Sequence, residues 1–396
     1  LKNISFYSTI IDSVFIASTI KRNITEAFYN VELNKDLEKI HHTLGKDKAF
    51  SIIIKSNNPF ITSLFTNKDL PLKSFTNYIA LDSDLNQDQL FLNGITKASD
   101  STKSLINIFK NTVPQENLTQ NITPSNSDGF LSFTFNNYSI LKQNLNAYLL
   151  KDSTSVNTPL FDNINEIGVI YEDNNHAIVL NSIDAIATND ALLSEHTIVE
   201  NYRQIDVFNF SKPEFFSSQL TPLITYNKAT KYCQIDNFFV FTDNLEMLQN
   251  IIANYQNKTT LSNQTHFKQI KEQLSDEASL IQVSNSSSLK NIIKNNIKEP
   301  LPNTFNNYKS AAIQFIYDSN FAHVNAIVNK AKNRVYANTV SEELNIKLES
   351  DLLNTPKFVT NHITKQKEIV VQDINNDLYL ISNKGKVLWK KRLKGP

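Results

Sequence analysis

The stretch Cys233–Asn285, CQIDNFFVFTDNLEMLQNIIANYQNKTTLSNQTHFKQIKEQLSDEASLIQVSN, reads as strand, helix, loop, helix, strand. In its opening segment, Ile235 to Thr242, an apolar run follows a turn-like Asp236-Asn237 pair. Asp243 or Asn244 then caps a helix, because a short side-chain acceptor satisfies the exposed first-turn N–H groups. Leu245, Leu248, Ile251, Ile252 and Tyr255 follow at helical spacing. A second helix carries Phe267, Ile270 and Leu274, and Ala278 to Asn285 returns as a strand.

The same order of elements opens the chain. Ile11 to Ser18 matches the run from Ile235. Ile24, Ala27 and Phe28, after Asn23, match the first helix, and Leu37, Ile40 and Leu44 match the second. Ala49 to Asn57 is a strand that ends, like Ala278–Asn285, in Ser-Asn. Short helices at Pro59–Phe65 and Ser287–Ile297 come next, and then the strand pairs Asn77–Ala98 and Ser310–Ala331. Between the copies, GFLSFTF from Gly129 is a strand, and NYSILKQNLNAYLLK is a helix with Ile140, Leu141, Leu145, Tyr148 and Leu149 on one side. Ile164 to Ala185 is a further strand pair. A repeat of this period decides the fold before other evidence is weighed. The expectation is an α+β fold of duplicated antiparallel sheets covered by helices, each sheet with one covered face. The first copy spans 1–127, a middle strand-helix-hairpin unit 128–230 and the second copy 231–335.

Size and composition bound the function. The 396 residues, 40% hydrophobic and 20% charged, are ordinary for a globular chain with a sizeable core. A net charge of +0 leaves no basic field to gather nucleic acid. The single Cys233 cannot form an internal disulfide, and as a small apolar residue opening a strand it is read as buried. No apolar run approaches the roughly 20 residues of a membrane span. Without an initiator Met, the chain is expected to begin inside a longer protein or after processing.

Motifs that could carry chemistry are few. Asp82, Asp84, Asn86 and Asp88 alternate oxygen ligands as a calcium loop does, but that pattern wants Gly where Gln87 stands and an acid where Asn93 stands. A structural turn is the favoured reading, and no metal is assigned. His41 and His42 are adjacent, so on a helix they point to different faces and share no metal. His176 and His323 sit at comparable places in two hairpins, which marks a fold position. With six glycines there is no GxGxxG and no phosphate loop, so no cofactor and no catalytic residue is assigned. Asn-x-Ser/Thr sequons at Asn23, Asn117, Asn121 and Asn263 follow from an Asn-rich composition. Asp-Ser pairs at Ser13, Ser101 and Ser153 resemble a short O-glycosylation signal of Bacteroidota secreted proteins. Phe208, Phe210, Phe215 and Phe216 read as exposed aromatics forming a contact patch. LWKKRLKG, Leu388 to Gly395, is the one basic cluster, read as a solvated strand edge.

The run from Ile235 to Asn285 resembles a bacterial domain-of-unknown-function family of envelope proteins, many from Bacteroidota, with a repeated α+β region. The closing PKFVTNHITKQKEIVVQDINNDLYLISNKGKVLWKKRL resembles the first blade of the quinoprotein-like or WD40-like β-propeller that follows it, so 340–396 is expected to begin an incomplete propeller. The resemblance implies a protein of the periplasm or outer membrane, with other envelope proteins as partners and a lipid anchor outside this sequence. It supplies no catalytic residues. The function expected is a non-enzymatic scaffold or a protein- or ligand-recognition module. The alternatives are a hydrolase, with its site between the α+β region and further blades, and a carrier of lipid or another small ligand in a Phe-lined cavity.

Overall fold

Short apolar runs separated by tight turns dominate this chain, and they pair as neighbours in sequence. The computed structural model describes residues 5–29, 35–55, 75–85, 89–98, 104–151, 158–288, 308–330 and 346–395. The helix expected at Pro59–Phe65 and most of that at Ser287–Ile297 fall outside them. The chain divides into two compact units, Leu1–Thr43 and Leu44–Pro396.

In the first unit, β1 (Tyr7–Ile11) and β2 (Val14–Ser18) form an antiparallel hairpin closed by Ile11 opposite Val14. Its two-residue turn holds Asp12 at φ 47° and Ser13 at φ 66°, the left-handed pair that matches the twist of the flanking strands. Helices α1 (Lys21–Glu26) and α2 (Lys35–His41) follow, with Ile24 and Ile40 as their buried residues. Asn23 lies inside α1 and not ahead of it, since the N-cap position is Ile20.

The second unit contains β3 (Ser51–Lys55), β4 (Tyr78–Leu85), β5 (Gln89–Lys97), β6 (Gly129–Thr134), α3 (Tyr138–Tyr148), β7 (Ile164–Glu172), β8 (Asn175–Ser182) and α4 (Ala185–Asp190). It continues with β9 (Ile198–Tyr202), β10 (Ile205–Asn209), α5 (Phe215–Leu220), β11 (Lys231–Ile235), β12 (Phe238–Thr242), α6 (Leu245–Gln256), α7 (Thr265–Lys271), β13 (Leu280–Asn285), β14 (Tyr308–Asp318) and β15 (Phe321–Lys330). These thirteen strands make one antiparallel sheet in the order β3-β4-β5-β15-β14-β13-β6-β7-β8-β12-β11-β10-β9. The last stretch folds separately as β16 (Lys357–Thr360), β17 (Lys367–Gln372), β18 (Asp377–Ile381) and β19 (Val387–Arg392), a four-stranded antiparallel sheet in sequence order.

This overturns the expected α+β fold of duplicated, helix-covered units leading into a propeller. Strand accounts for 40% of the structure and helix for 24%, and the strands of all three expected units merge in one open thirteen-stranded sheet without barrel closure. Among the described residues, five of the seven helices with assigned ranges are seven residues or shorter, too few turns to roof such a sheet. The expectation of one covered face also fails in the middle of the sheet. Gly129–Thr134 and Phe238–Thr242 are buried at every position, so both faces there are packed.

One row of paired residues crosses all thirteen strands: Ser51, Asp82, Asn93, Asn325, Gln314, Ile281, Ser132, Gly168, Val179, Val240, Cys233, Val207, Glu200. Residues opposite each other in a ladder share a face. From β8 to β10 the row is apolar, Val179, Val240, Cys233 and Val207, and joins a Val/Ile core under α6 and α7, with Leu248, Ile251, Ile252 and Ile270. The other face carries an aromatic core in which Phe133, Phe239, Phe241 and Tyr232 meet α3, α5 and the 3-10 turn Leu105–Phe109. Toward β3 the row turns polar. There Asn93 Nδ2 donates to Asn325 Oδ1 (2.7 Å), and Gln314 exchanges hydrogen bonds with the backbone of Ser275 beyond α7.

Candidate functional site

The residues singled out from the sequence do not assemble into a site. Asp82 accepts from the Gly45 N–H (2.7 Å) and the Ser51 hydroxyl (2.5 Å), and Asp84 pairs with Lys48 (2.7 Å). Both carboxylates therefore tie the chain ahead of β3 to β4. Asn86 and Asp88 lie outside the described residues, and no group of three metal-ligating acids, histidines or cysteines occurs among those described. The His41 and His42 rings meet in a T-shaped contact, with centroids 6.1 Å apart, in the first unit. His176 opposes Tyr171 and His323 opposes Ile316, one pair farther from its turn. The two rings thus point to opposite faces of the sheet and do not share a position.

The aromatic patch is core. Phe210 and Phe216 are buried, while Phe208 and Phe215 are partly buried against the same cluster. Phe210 and Phe216 each pack on Phe241, with ring centroids 5.1 and 4.8 Å apart, and Tyr232 stacks on Phe241 at 5.2 Å. Phe208 in β10 and Phe210 just beyond it alternate as Phe239 and Phe241 do in β12, so these rings fill one layer. Cys233 is buried as expected, and burial pushes its thiol pKa far up.

Two polar constellations were not read from the sequence. The first is Glu166 on β7, fully buried. Its carboxylate accepts from the backbone N–H groups of Leu118 (2.8 Å) and Thr119 (3.1 Å) and from the hydroxyls of Thr119 (2.7 Å) and Ser132 (2.5 Å). Burial raises its pKa, and the four donors offset only part of that rise. Gly168 makes room for this: a Cβ there would lie 2.6 Å from Thr119 Oγ1. The carboxylate joins Leu118 and Thr119 of the loop to Ser132 of the neighbouring strand β6, so Glu166 is a structural hub.

The second is a groove of about 990 Å³ between α6, the end of β9 and the four-stranded sheet. Helical spacing puts Glu246, Asn250, Asn254 and Asn257 along one side of α6. Asn244 caps that helix by accepting from the Met247 N–H (2.9 Å), whereas Asp243 is held by the Tyr226 hydroxyl. Asn250 Nδ2 donates to Glu172 (2.9 Å) and to Asn126 (3.1 Å), Asn254 Nδ2 donates to the Asn250 side chain (2.9 Å), and Thr259 Oγ1 donates to Asn254 Oδ1 (2.8 Å). The facing wall carries Lys384, Lys386 and Lys390 from the β18–β19 hairpin.

Each of these cations meets carboxylates. Lys386 reaches Glu172 (3.3 Å) and Glu246 (3.5 Å), Lys390 reaches Glu349 (2.7 Å) and Asp377 (3.1 Å), and Lys384 lies 3.7 Å from Asp173. Burial works to lower the Lys386 pKa, but Glu172 and Glu246 outweigh it and hold it above the usual lysine value. The Arg392 guanidinium, with Lys390 beside it, holds Asp377 down at about 2. Arg203, at φ 51° in the β9–β10 turn, donates to Asn257 Oδ1 and to the Lys347 carbonyl (both 3.3 Å) and closes one end of the groove. The walls therefore offer amide donors and acceptors around matched charges, a lining suited to neutral polar groups and poor for a bare anion. In the sequence, KGK at 384–386 reads only as a turn, since its acidic partners lie more than a hundred positions away.

No protein-family model, no curated protein and no solved structure matches the chain. Among the described residues no helix is long and apolar enough to cross a membrane.

Proposed function

We propose that this chain is a non-enzymatic recognition module of the bacterial envelope, and that the groove between α6 and the four-stranded sheet is where it holds its ligand. The supporting observation is the groove lining, in which Asn126, Asn250, Asn254 and Asn257 present paired donors and acceptors while Lys384, Lys386 and Lys390 are matched by acids. That chemistry fits a neutral, hydroxyl-rich ligand such as an oligosaccharide, whose groups both donate and accept. The envelope location rests on the resemblance of residues 235–285 and 356–393 alone. The solid stacking of Phe210, Phe216, Tyr232 and Phe241 favours the groove over a Phe-lined carrier cavity.

The test is an NMR titration with neutral oligosaccharides of bacterial surface types. The expected result is perturbation of the Asn250 and Asn254 side-chain amides, lost in Asn254→Leu. If no neutral glycan moves these signals, the reading is wrong.

A further inference from the structure

Beside the β7–β8 turn, on the aromatic-core side of the sheet, lies a second cavity of about 300 Å³ that shares no lining residue with the groove. Its deepest part is apolar, since Val169 and Ile224 belong to the buried aromatic-side core. The rings of His176, at the start of β8, and Tyr226, in the segment ahead of β11, line it as well, with centroids 5.5 Å apart. No metal fits here: among the described residues no three His, Cys, Asp or Glu side chains come together.

Two opposite charges complete the lining, Asp243 and Lys228, both exposed at the cavity mouth. Asp243 is fixed by the fold. Its N–H donates to the Tyr226 hydroxyl (2.9 Å), that hydroxyl donates back to Oδ1 (2.5 Å), and its carbonyl accepts from Lys231 (3.2 Å). The Thr242 hydroxyl also donates to the His176 carbonyl (2.8 Å), which ties together the strand ends on either side of the cavity. One Asp243 oxygen is therefore spent and the other is not. Among the described residues Asp243 and Lys228 form no ion pair, with each other or with any other group.

We infer that this cavity binds a small zwitterion with an apolar side chain, a free amino acid or a short peptide. Its ammonium meets Asp243, its carboxylate meets Lys228, and its side chain lies against Val169 and Ile224. A ligand carrying both charges pairs each of the two groups at once, whereas one carrying a single charge leaves the other group unmatched. The volume stands at the small end of ligand cavities and is too small for a chain that would fill the 990 Å³ groove. The inference goes beyond the groove reading and does not rest on it.

The test is an NMR titration of the full chain with leucine and with leucyl-leucine, read at the Tyr226 and His176 rings and the Asn227 amide. Leucinamide, which lacks the carboxylate, and N-acetyl-leucine, which lacks the ammonium, are the controls. The expected result is binding of a zwitterion, with each control weaker by about tenfold or more, the worth of one charge-assisted contact. Whichever of the two zwitterions binds tighter tells whether the charges are spaced for a free amino acid or for a peptide. In Lys228→Gln the preference for the zwitterion over leucinamide should vanish. In Asp243→Asn the preference over N-acetyl-leucine should vanish. Lys228 is exposed, so its variant folds whatever it does to binding. The inference is overturned if neither zwitterion moves these signals, if a singly charged control binds as tightly, or if either variant keeps the wild-type preference. The Asn250 and Asn254 amides, which report on the groove, should stay still throughout, and movement there in place of the cavity signals also overturns it.

Discussion

Phe15 and Phe239 hold the same place in two hairpins of the same register: each sits one pair in from the turn, opposite Ile10 and Gln234. Yet Phe15 is 68% exposed, while Phe239 is wholly buried. Among the described residues the β1–β2 hairpin pairs only with itself, whereas β11–β12 is held between β10 and β8 in the large sheet. The apolar-run-and-turn pattern is therefore enough to make a hairpin but does not say what will cover it. Cover comes from strands far away in sequence, which a local pattern cannot announce.

Alanine at the two positions separates these cases most sharply. Phe239→Ala removes a ring from the aromatic core and should destabilise the second unit by about 3–5 kcal/mol, the usual cost of a buried Phe. Phe15→Ala should shift stability by no more than about 0.5 kcal/mol, as at exposed sites. Thermal or urea unfolding of both variants checks this, and equal losses would show that the first hairpin is covered as the second is.

Most of the strands and the principal helices were legible, because Leu245 to Tyr255 keeps helical spacing and Asp236-Asn237 or Asp12-Ser13 demands a turn. The element order strand, helix, helix, strand was legible in both copies, but the opening strand of each is one arm of a hairpin, Tyr7–Ser18 and Lys231–Thr242. The single sheet was not, since it depends on β5 meeting β15 and β13 meeting β6 across long separations. Phe208–Phe216 looked exposed for the same reason. Their cover, Phe161 and Phe241, comes from other strands and turns. The groove was hidden because Lys386 and Glu172 are joined only by folding.

Within the second unit, the Glu166 hub tests whether the polar centre of the sheet is structural. In Glu166→Gln, an amide NH2 replaces one acceptor oxygen and faces a donor, Leu118 N–H or the Thr119 pair, so a loss of about 1–3 kcal/mol is expected. The pH dependence has a fixed sign. The folded-state pKa is raised above the ordinary 4.5, so between the two values the folded chain binds more protons than the unfolded one. The Glu166 contribution to stability therefore falls as pH rises from about 4.5 through the raised value, then levels off. Denaturation across the acid-to-neutral range should show that decline in the wild type and its absence in Glu166→Gln. A decline of equal size in the variant would assign it to other groups.

The smallest effect is expected where the two sheets of the second unit meet. Lys386 spans that junction, reaching Glu172, which is nearly buried, and Glu246, which is open to solvent. Lys386→Met keeps much of the stem and removes the charge. Glu172 retains its hydrogen bond from Asn250, so its carboxylate is not stranded. Part-exposed pairs of this kind contribute about 0–1 kcal/mol, and salt screens them. Global unfolding should therefore barely move. Amide exchange in β18 and β19 should quicken in the variant at low salt and converge with the wild type as salt is raised. A large global loss would mean that the junction supports the thirteen-stranded sheet, and not merely that it orients the hairpin lining the groove.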